Sequence, residues 1–410
     1  MTEAHHSLIE RLAKHLSRPV DELTRARARL HLLDWLACVA GARQSAVAKL
    51  FTGAQGSVIN KASFLGNILE MDDVHRTALL HPGPVIWPTA LDGLGDDMAA
   101  LLDAAVRGYE AMVCIGETLD AYHYANWHPT ATAGAFGAAA TEASRTGCDV
   151  GQTAHALALA GSVTGGFWQM RHEDVTAKQW HVAHAIKTGM SAAFYARHGL
   201  TGPRFILEGQ QGLYAAMTRS PKPLGLTDAW SIHEVSFKPW AACRHAHPVI
   251  DAAQELRAAG VLTPPYFVET YADAITFCDR PNPATETDAK FSLQHAVAVV
   301  ADGRDATPAD FTLAAIAALA PLRAQVSVRE DPAFTRRYPA HFGARVNGLE
   351  LIDTRGDPER PVREADTVAK LRTLVAWGGL ADVEADRALE VALQGNDVTA
   401  VSRMLEDWLG

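Results

Sequence analysis

Cysteine is scarce in this chain and badly placed for cross-linking. Cys38, Cys114, Cys148, Cys243 and Cys278 are spread through 410 residues. The number is odd and no Cys-x-x-Cys pair occurs, which argues against a disulfide framework and a zinc ribbon and fits a reducing cytoplasm. Long apolar runs are missing as well. The longest uncharged one, Ala156 to Met170, is interrupted by Gly, Ser, Thr and Gln. It falls short of the ~20 apolar residues that cross a bilayer, so no membrane span is expected. Positive charge is in deficit: the net charge is −10 and the basic residues are scattered, so no nucleic-acid partner is expected. The polar, His-containing N-terminus does not read as a secretory signal, and a cytoplasmic protein is expected. Gly161, Gly165 and Gly166 have the wrong spacing for a dinucleotide fingerprint. There is no P-loop and no Gly-x-Ser-x-Gly elbow.

What remains is an ordinary globular composition, 48% apolar and 20% charged, in a chain long enough for two domains. The first two-thirds reads as helix after helix. Leu30, Leu33, Ala37 and Ala40 recur at helical spacing, with Gly41 as the stop. Ala-rich runs at 97–119, 130–143 and 182–196 continue the pattern. Gly134 and Gly137 among alanines predict close helix–helix approach. From about Ser236 prolines accumulate, and 266–271 reads as a strand, 289–301 as a helix and 345–352 as another strand. From Glu364 the chain returns to helix. The fold class is therefore mainly α: a large all-α domain (1–238 with 366–410) plus a smaller α/β lid domain (239–365).

The chemistry gathers in four segments. Glu70-Met71-Asp72-Asp73-Val74-His75 is followed by His81-Pro82-Gly83. If the first stretch is helical, Glu70 and Asp73 share a face. Carboxylates beside imidazoles suit proton transfer and equally suit a hard metal. In Trp127-His128-Pro129-Thr130, Thr130 is the expected helix N-cap and His128 sits where positive helix-end potential favours the neutral ring. In Thr176-Ala177-Lys178-Gln179-Trp180-His181, Lys178 is a pocket cation, with Arg171 and His172 just upstream. In Phe237-Lys238-Pro239-Trp240-Ala241-Ala242-Cys243-Arg244-His245-Ala246-His247, an extended backbone would align Cys243, His245 and His247 on one face and leave Arg244 as a forked carboxylate donor. Asp72/Asp73/His75 and Cys243/His245/His247 are the two places where a metal would have to bind, in a metal-dependent hydrolase; no metal is the expectation.

In this order the segments resemble the MmgE/PrpD family, over about residues 30–375. That family includes 2-methylcitrate dehydratases, cis-aconitate decarboxylases and iminodisuccinate epimerases. The resemblance implies an all-α domain with an α/β lid and the active site between them, no cofactor, and a homodimer. It also implies active-site roles for His81, His128 and Lys178. Glu70 stands at the first position of the Asp-Phe-Asp-Asp motif of the decarboxylase branch. Cys243 and Phe277 stand where that branch has an active-site His and Tyr, which argues against cis-aconitate decarboxylation. Asp288 to Gln294 matches a further family segment, and 41–61 is shorter than in typical members. The expected activity is a cofactor-independent lyase or isomerase that moves a proton α to a carboxylate of a small di- or tricarboxylate, leaning to a 2-methylcitrate dehydratase-like hydro-lyase. The catalytic set is His128, Lys178, His81 and Glu70, with His128 or Lys178 as base and His81 as acid. Arg244, Asp72, Cys243, His247, His181 and Arg171 are expected to bind substrate. Epimerisation uses the same groups, and a non-catalytic dicarboxylate-binding protein is the reading from another class.

Overall fold

The structure, a computed structural model, describes residues 6–52, 57–93, 97–173 and 175–410. The first five residues and part of the short 41–61 region lie outside the described residues. The fold is mainly α. Its body is built on the helices Glu22–Ala42, Met98–Thr118, Pro129–Arg145 and Ala177–Arg197. The Pro129–Arg145 helix is its axis, buried along almost its whole length and packed against Met98–Thr118 and Ala177–Arg197. Small residues permit this. A Cβ on Gly137 would lie 2.8 Å from Met112 Cβ, and one on Gly134 3.2 Å from Ala185 Cβ. Close backbones supply the density that large side chains would otherwise give.

Gly41 does not stop its helix, which runs on to Ala42. A Cβ there would come 2.7 Å from Leu69 Cδ1 and 3.1 Å from Leu374 Cβ, so the glycine admits the segment before Glu70 on one side and a C-terminal helix on the other. That helix, Glu364–Trp377, lies along Glu22–Ala42, and Val398–Leu409 lies on Val58–Leu65, so the tail rejoins the helical body.

The smaller unit carries a four-stranded mixed sheet, β1 (Tyr266–Thr270), β2 (Val326–Glu330), β3 (Ala344–Val346) and β4 (Leu349–Leu351), in the order β2-β1-β3-β4. β1 runs parallel to β2 and antiparallel to β3. The single strand expected over 345–352 is instead a β3–β4 hairpin. Asn347 and Gly348 turn it, both at positive φ (43° and 91°), the conformation that Asn-Gly adopts most readily in a two-residue loop. Helices His247–Ala258 and Leu293–Ala301 cover the sheet. Among the described residues no helix is long and apolar enough to cross a membrane.

Candidate active site

A cavity of about 1130 Å³ opens between the helical body and the smaller unit. Glu70, His81, His128, Arg171 and Lys178 line it from the body, and Cys243, Arg244 and Lys290 from the other side. Asp72, His181 and His247 stand behind its wall.

The acidic segment is not helical. After the helix Val58–Leu65 the chain passes through turns and bends to isolated bridges at Val74 and His75. An irregular backbone, rather than a helical face, sorts its carboxylates. Glu70 and Asp72 meet the lysines, whereas Asp73 points into the body. There Asp73 accepts hydrogen bonds from Tyr109 Oη at 2.6 Å and Gly83 N at 2.7 Å, and its Oδ2 lies 2.8 Å from His31 Nδ1. Gly83 has to be glycine because a Cβ would lie 2.7 Å from Asp73 Oδ1. Asp73 is thus the post on which the His81-Pro82-Gly83 turn hangs. Burial raises its carboxyl to about 6 even with the Tyr109 and Gly83 donors in place. Glu70 itself has φ +56°, a left-handed conformation costly for a residue with a Cβ and characteristic of functional sites.

Glu70 accepts from Lys178 Nζ. Lys238, fully buried, lies 3.2 Å from Asp72 Oδ1 and 3.9 Å from Glu70 Oε2. His81 Nδ1 lies 2.8 Å from Asp72 Oδ2, at an angle that leaves both atoms without a well-aligned hydrogen bond. Burial by itself would raise Glu70 and Asp72. The charges of Lys178 and Lys238 near Glu70, and of Lys238 and His81 near Asp72, outweigh it and hold both below the usual carboxylate range. The same pairing works in reverse on Lys178: burial disfavours its charge, but Glu70 and Asp72 leave its pKa raised. Lys178 is thus a protonated amine in the first turn of the helix Ala177–Arg197. Helix-end potential would repel it there, and Glu70 supplies the compensating charge.

His128 is itself the N-cap of Pro129–Arg145, two residues earlier than expected, and its ring makes no capping bond. Thr130 instead accepts a hydrogen bond from His81 N (3.1 Å) and ties the two histidine segments together. His128 Nδ1 is 3.3 Å from His181 Nδ1. Burial, and then the charge of Lys178, push His128 well below its ordinary pKa. At neutral pH it is a neutral imidazole with accepting capacity.

The Cys243–His247 segment is not extended either. Arg244–Ala246 is a 3₁₀ turn and His247 starts a helix, so the alternating face dissolves. His247 Nε2 turns back to Ala242 O at 3.1 Å. His245 Nδ1 contacts Tyr271 Oη at 2.8 Å, and burial with Arg244 alongside lowers it to about 3. Arg244 is not the free fork the sequence suggested: Asp357, itself fully buried, takes its Nη2, while Nε and Nη1 stay without partners in the wall. Arg171 packs its guanidinium 3.9 Å from the Phe277 ring centroid and 5.3 Å from Trp168, and among the described residues no ion-pair partner is seen. Two groups were missed from sequence. Lys238 looked like one more basic residue beside a proline, yet its neighbours Phe237 and Pro239 already signalled burial. Tyr124, which stacks on Phe277 and lies 3.4 Å from His245 Nε2, sits in no motif and carried no signal.

The geometry defines a class before any comparison is made: a two-unit protein whose interdomain cavity holds paired carboxylates and lysines, a neutral imidazole and unspent cationic groups, a set for handling protons on anionic small molecules. Residues 59–224 match the MmgE/PrpD N-terminal domain and residues 240–394 the MmgE/PrpD C-terminal domain, and the chain belongs to the MmgE/PrpD family. It is similar to the human cis-aconitate decarboxylase, 30% identical over 195 residues, which is 44% of this chain and 40% of that protein. The mouse cis-aconitate decarboxylase is 31% identical over 196 residues, with the same shares of 44% and 40%. The matched part therefore spans less than half the length of these curated relatives.

Proposed function

We propose that this protein is a lyase that removes a proton from the carbon next to a carboxylate of a small di- or tricarboxylate, with expulsion of water. The observation that carries this reading is the neutral, buried His128 on the wall of a cavity that also presents the Glu70–Lys178 pair and His81. Such a C–H is a weak acid, and its removal needs a base that is neutral before reaction and positive charge beside the carboxylate. In the proposed cycle His128 takes the α-proton and the C–H electrons become the new double bond. The C–O bond breaks as a proton passes from His81 to the departing hydroxide. Lys178 neutralises the carboxylate whose α-carbon becomes electron-rich. Acid, base and counter-charge all come from side chains, with no cofactor assigned a step.

Decarboxylation is the second reading, favoured by the names of the two curated relatives. Against it stand Cys243 and Phe277, a thiol and a phenyl ring where the decarboxylase branch has an imidazole and a phenol. We also propose a homodimer, on the outer face of Ala177–Arg197 and its neighbours, where Val163, Trp180, Tyr195 and Leu200 are more than half exposed.

The test is proton NMR in deuterated buffer with citrate-, methylcitrate-, aconitate- and aspartate-type acids. Loss of water together with α-exchange is expected. Exchange on an unchanged skeleton would replace dehydration by epimerisation, and release of carbon dioxide would restore the decarboxylase reading. No exchange with any of these acids would sink the proposal.

A further inference from the structure

Among the described residues two cations of the cavity have no carboxylate partner: Arg171, whose guanidinium lies over the Phe277 and Trp168 rings, and one lysine. Lys178 has Glu70, Arg244 has Asp357, and Arg280 has Asp288. Behind the wall Lys238 has Asp72 and Lys370 has Asp34. Lys290 lines the same cavity, and among the described residues no carboxylate lies within ion-pair distance of it. Its Nζ reaches only a carbonyl, Ile68 O at 3.2 Å, two residues before Glu70. Glu286, one helical turn back, is exposed and does not pair with it.

The seat of Lys290 is rigid. It ends the short helix Glu286–Lys290, which Thr285 caps by accepting from Asp288 N at 3.0 Å. Its own carbonyl accepts from Cys243 N at 2.8 Å, and Ser292 at once caps the next helix, Leu293–Ala301. The amine is therefore carried into the cavity by the smaller unit while its tip touches the segment that bears Glu70. A partly buried ammonium that meets only a dipole has unmet capacity for an anion.

We propose that Lys290 binds a second carboxylate of the substrate, so that the site selects diacids over monoacids and holds the smaller unit against the helical body when one is bound. This rests on the reading of the cavity as a carboxylate site and adds to it the residue that reads the substrate's second charge. Burial lowers the pKa of Lys290, with Glu70 and Glu286 opposing the shift and Lys178 and Lys238 adding to it, and an incoming carboxylate offsets the cost of that buried charge.

The test is calorimetric binding of succinate and butyrate, four-carbon acids differing by one carboxylate, to the full chain and to Lys290→Met and Lys290→Arg. Wild type is expected to prefer succinate. Lys290→Met should weaken succinate by roughly 10- to 100-fold, the size of a hydrogen bond to a charged group, and leave butyrate nearly unchanged. Lys290→Arg should recover most of the preference by keeping the charge. Equal succinate binding by wild type and Lys290→Met overturns the proposal. So does a Lys290→Met that loses both acids alike, or a wild type without the preference. Binding is read without turnover, so failure of α-proton exchange and failure of the Lys290 assignment are separate results.

Discussion

Replacing Lys370 by methionine isolates a contact behind the cavity wall on which the site depends. Lys370 reaches in from the C-terminal helix, lies 2.6 Å from Asp34 Oδ1 and donates to the carbonyl of Met71, the residue between Glu70 and Asp72. Lysine and aspartate side chains are only 5% and 2% exposed. At that distance and an effective dielectric of about 20, their gross attraction is about 6 kcal/mol. Part of it offsets desolvation, and breaking such a pair by removing one partner costs about 3–5 kcal/mol. The cost should depend on pH in a definite sense. Burial raises the Asp34 carboxyl from 3.8 to about 6, with Lys370 opposing the rise. A raised folded-state pKa stabilises the fold below the unfolded value, and that contribution disappears as pH climbs through the folded value. Without Lys370 the folded value climbs further, and the variant carries an unpaired buried carboxylate at pH 8. At pH 5 Asp34 is already largely protonated in the wild type, so little ion pair is left to lose. Urea unfolding should therefore show a loss of about 3–5 kcal/mol at pH 8 and clearly less at pH 5, and Asp34→Asn in the Lys370→Met background should recover more than half of it. A loss under about 1 kcal/mol at pH 8, or a loss growing toward pH 5, would refute the reasoning.

Two further expectations concern the site and the assembly. His128→Ala and Lys178→Ala should each lower turnover by roughly 10²–10⁴-fold, the usual scale of an acid–base contribution. With burial and Lys178 holding His128 well below the ordinary histidine range, the acid limb of kcat/KM should lie on the acid side of that range and vanish in His128→Ala; near-wild-type rates in both variants would remove them from the mechanism. Tyr195→Glu, on the exposed apolar face, should shift a dimeric species toward monomer in sedimentation velocity, and an unchanged mass would exclude that face as the interface.

Much of the fold was legible because it rests on local pattern. The Ala-rich helices need close neighbours at Gly134 and Gly137, and the β1 run and the return to helix at Glu364 announce themselves by composition. Two errors share one cause. Gly41 and Thr130 were read by what such residues do to their own backbone, whereas Gly41 serves a contact to Leu69 and Leu374, and Thr130 serves His81. The hairpin was the exception: Asn347-Gly348 is a local turn signal that the strand reading passed over.

In the site the division falls along the same line. Sequence alone determined which chemical groups are available and, through the order of the segments, which family they belong to, because acid–base chemistry requires particular side chains and composition preserves them. It did not determine which of those groups face one another. Packing made an irregular run of bends of the acidic segment and a turn of the Cys243–His247 segment. That choice sent Asp73 inward, spent Arg244 on Asp357, buried Lys238 beside Asp72 and left Lys290 without a counter-ion among the described residues. Lys178 and Glu70 are 108 positions apart and Lys370 and Asp34 are 336 apart, and only the folded chain brings such partners within reach.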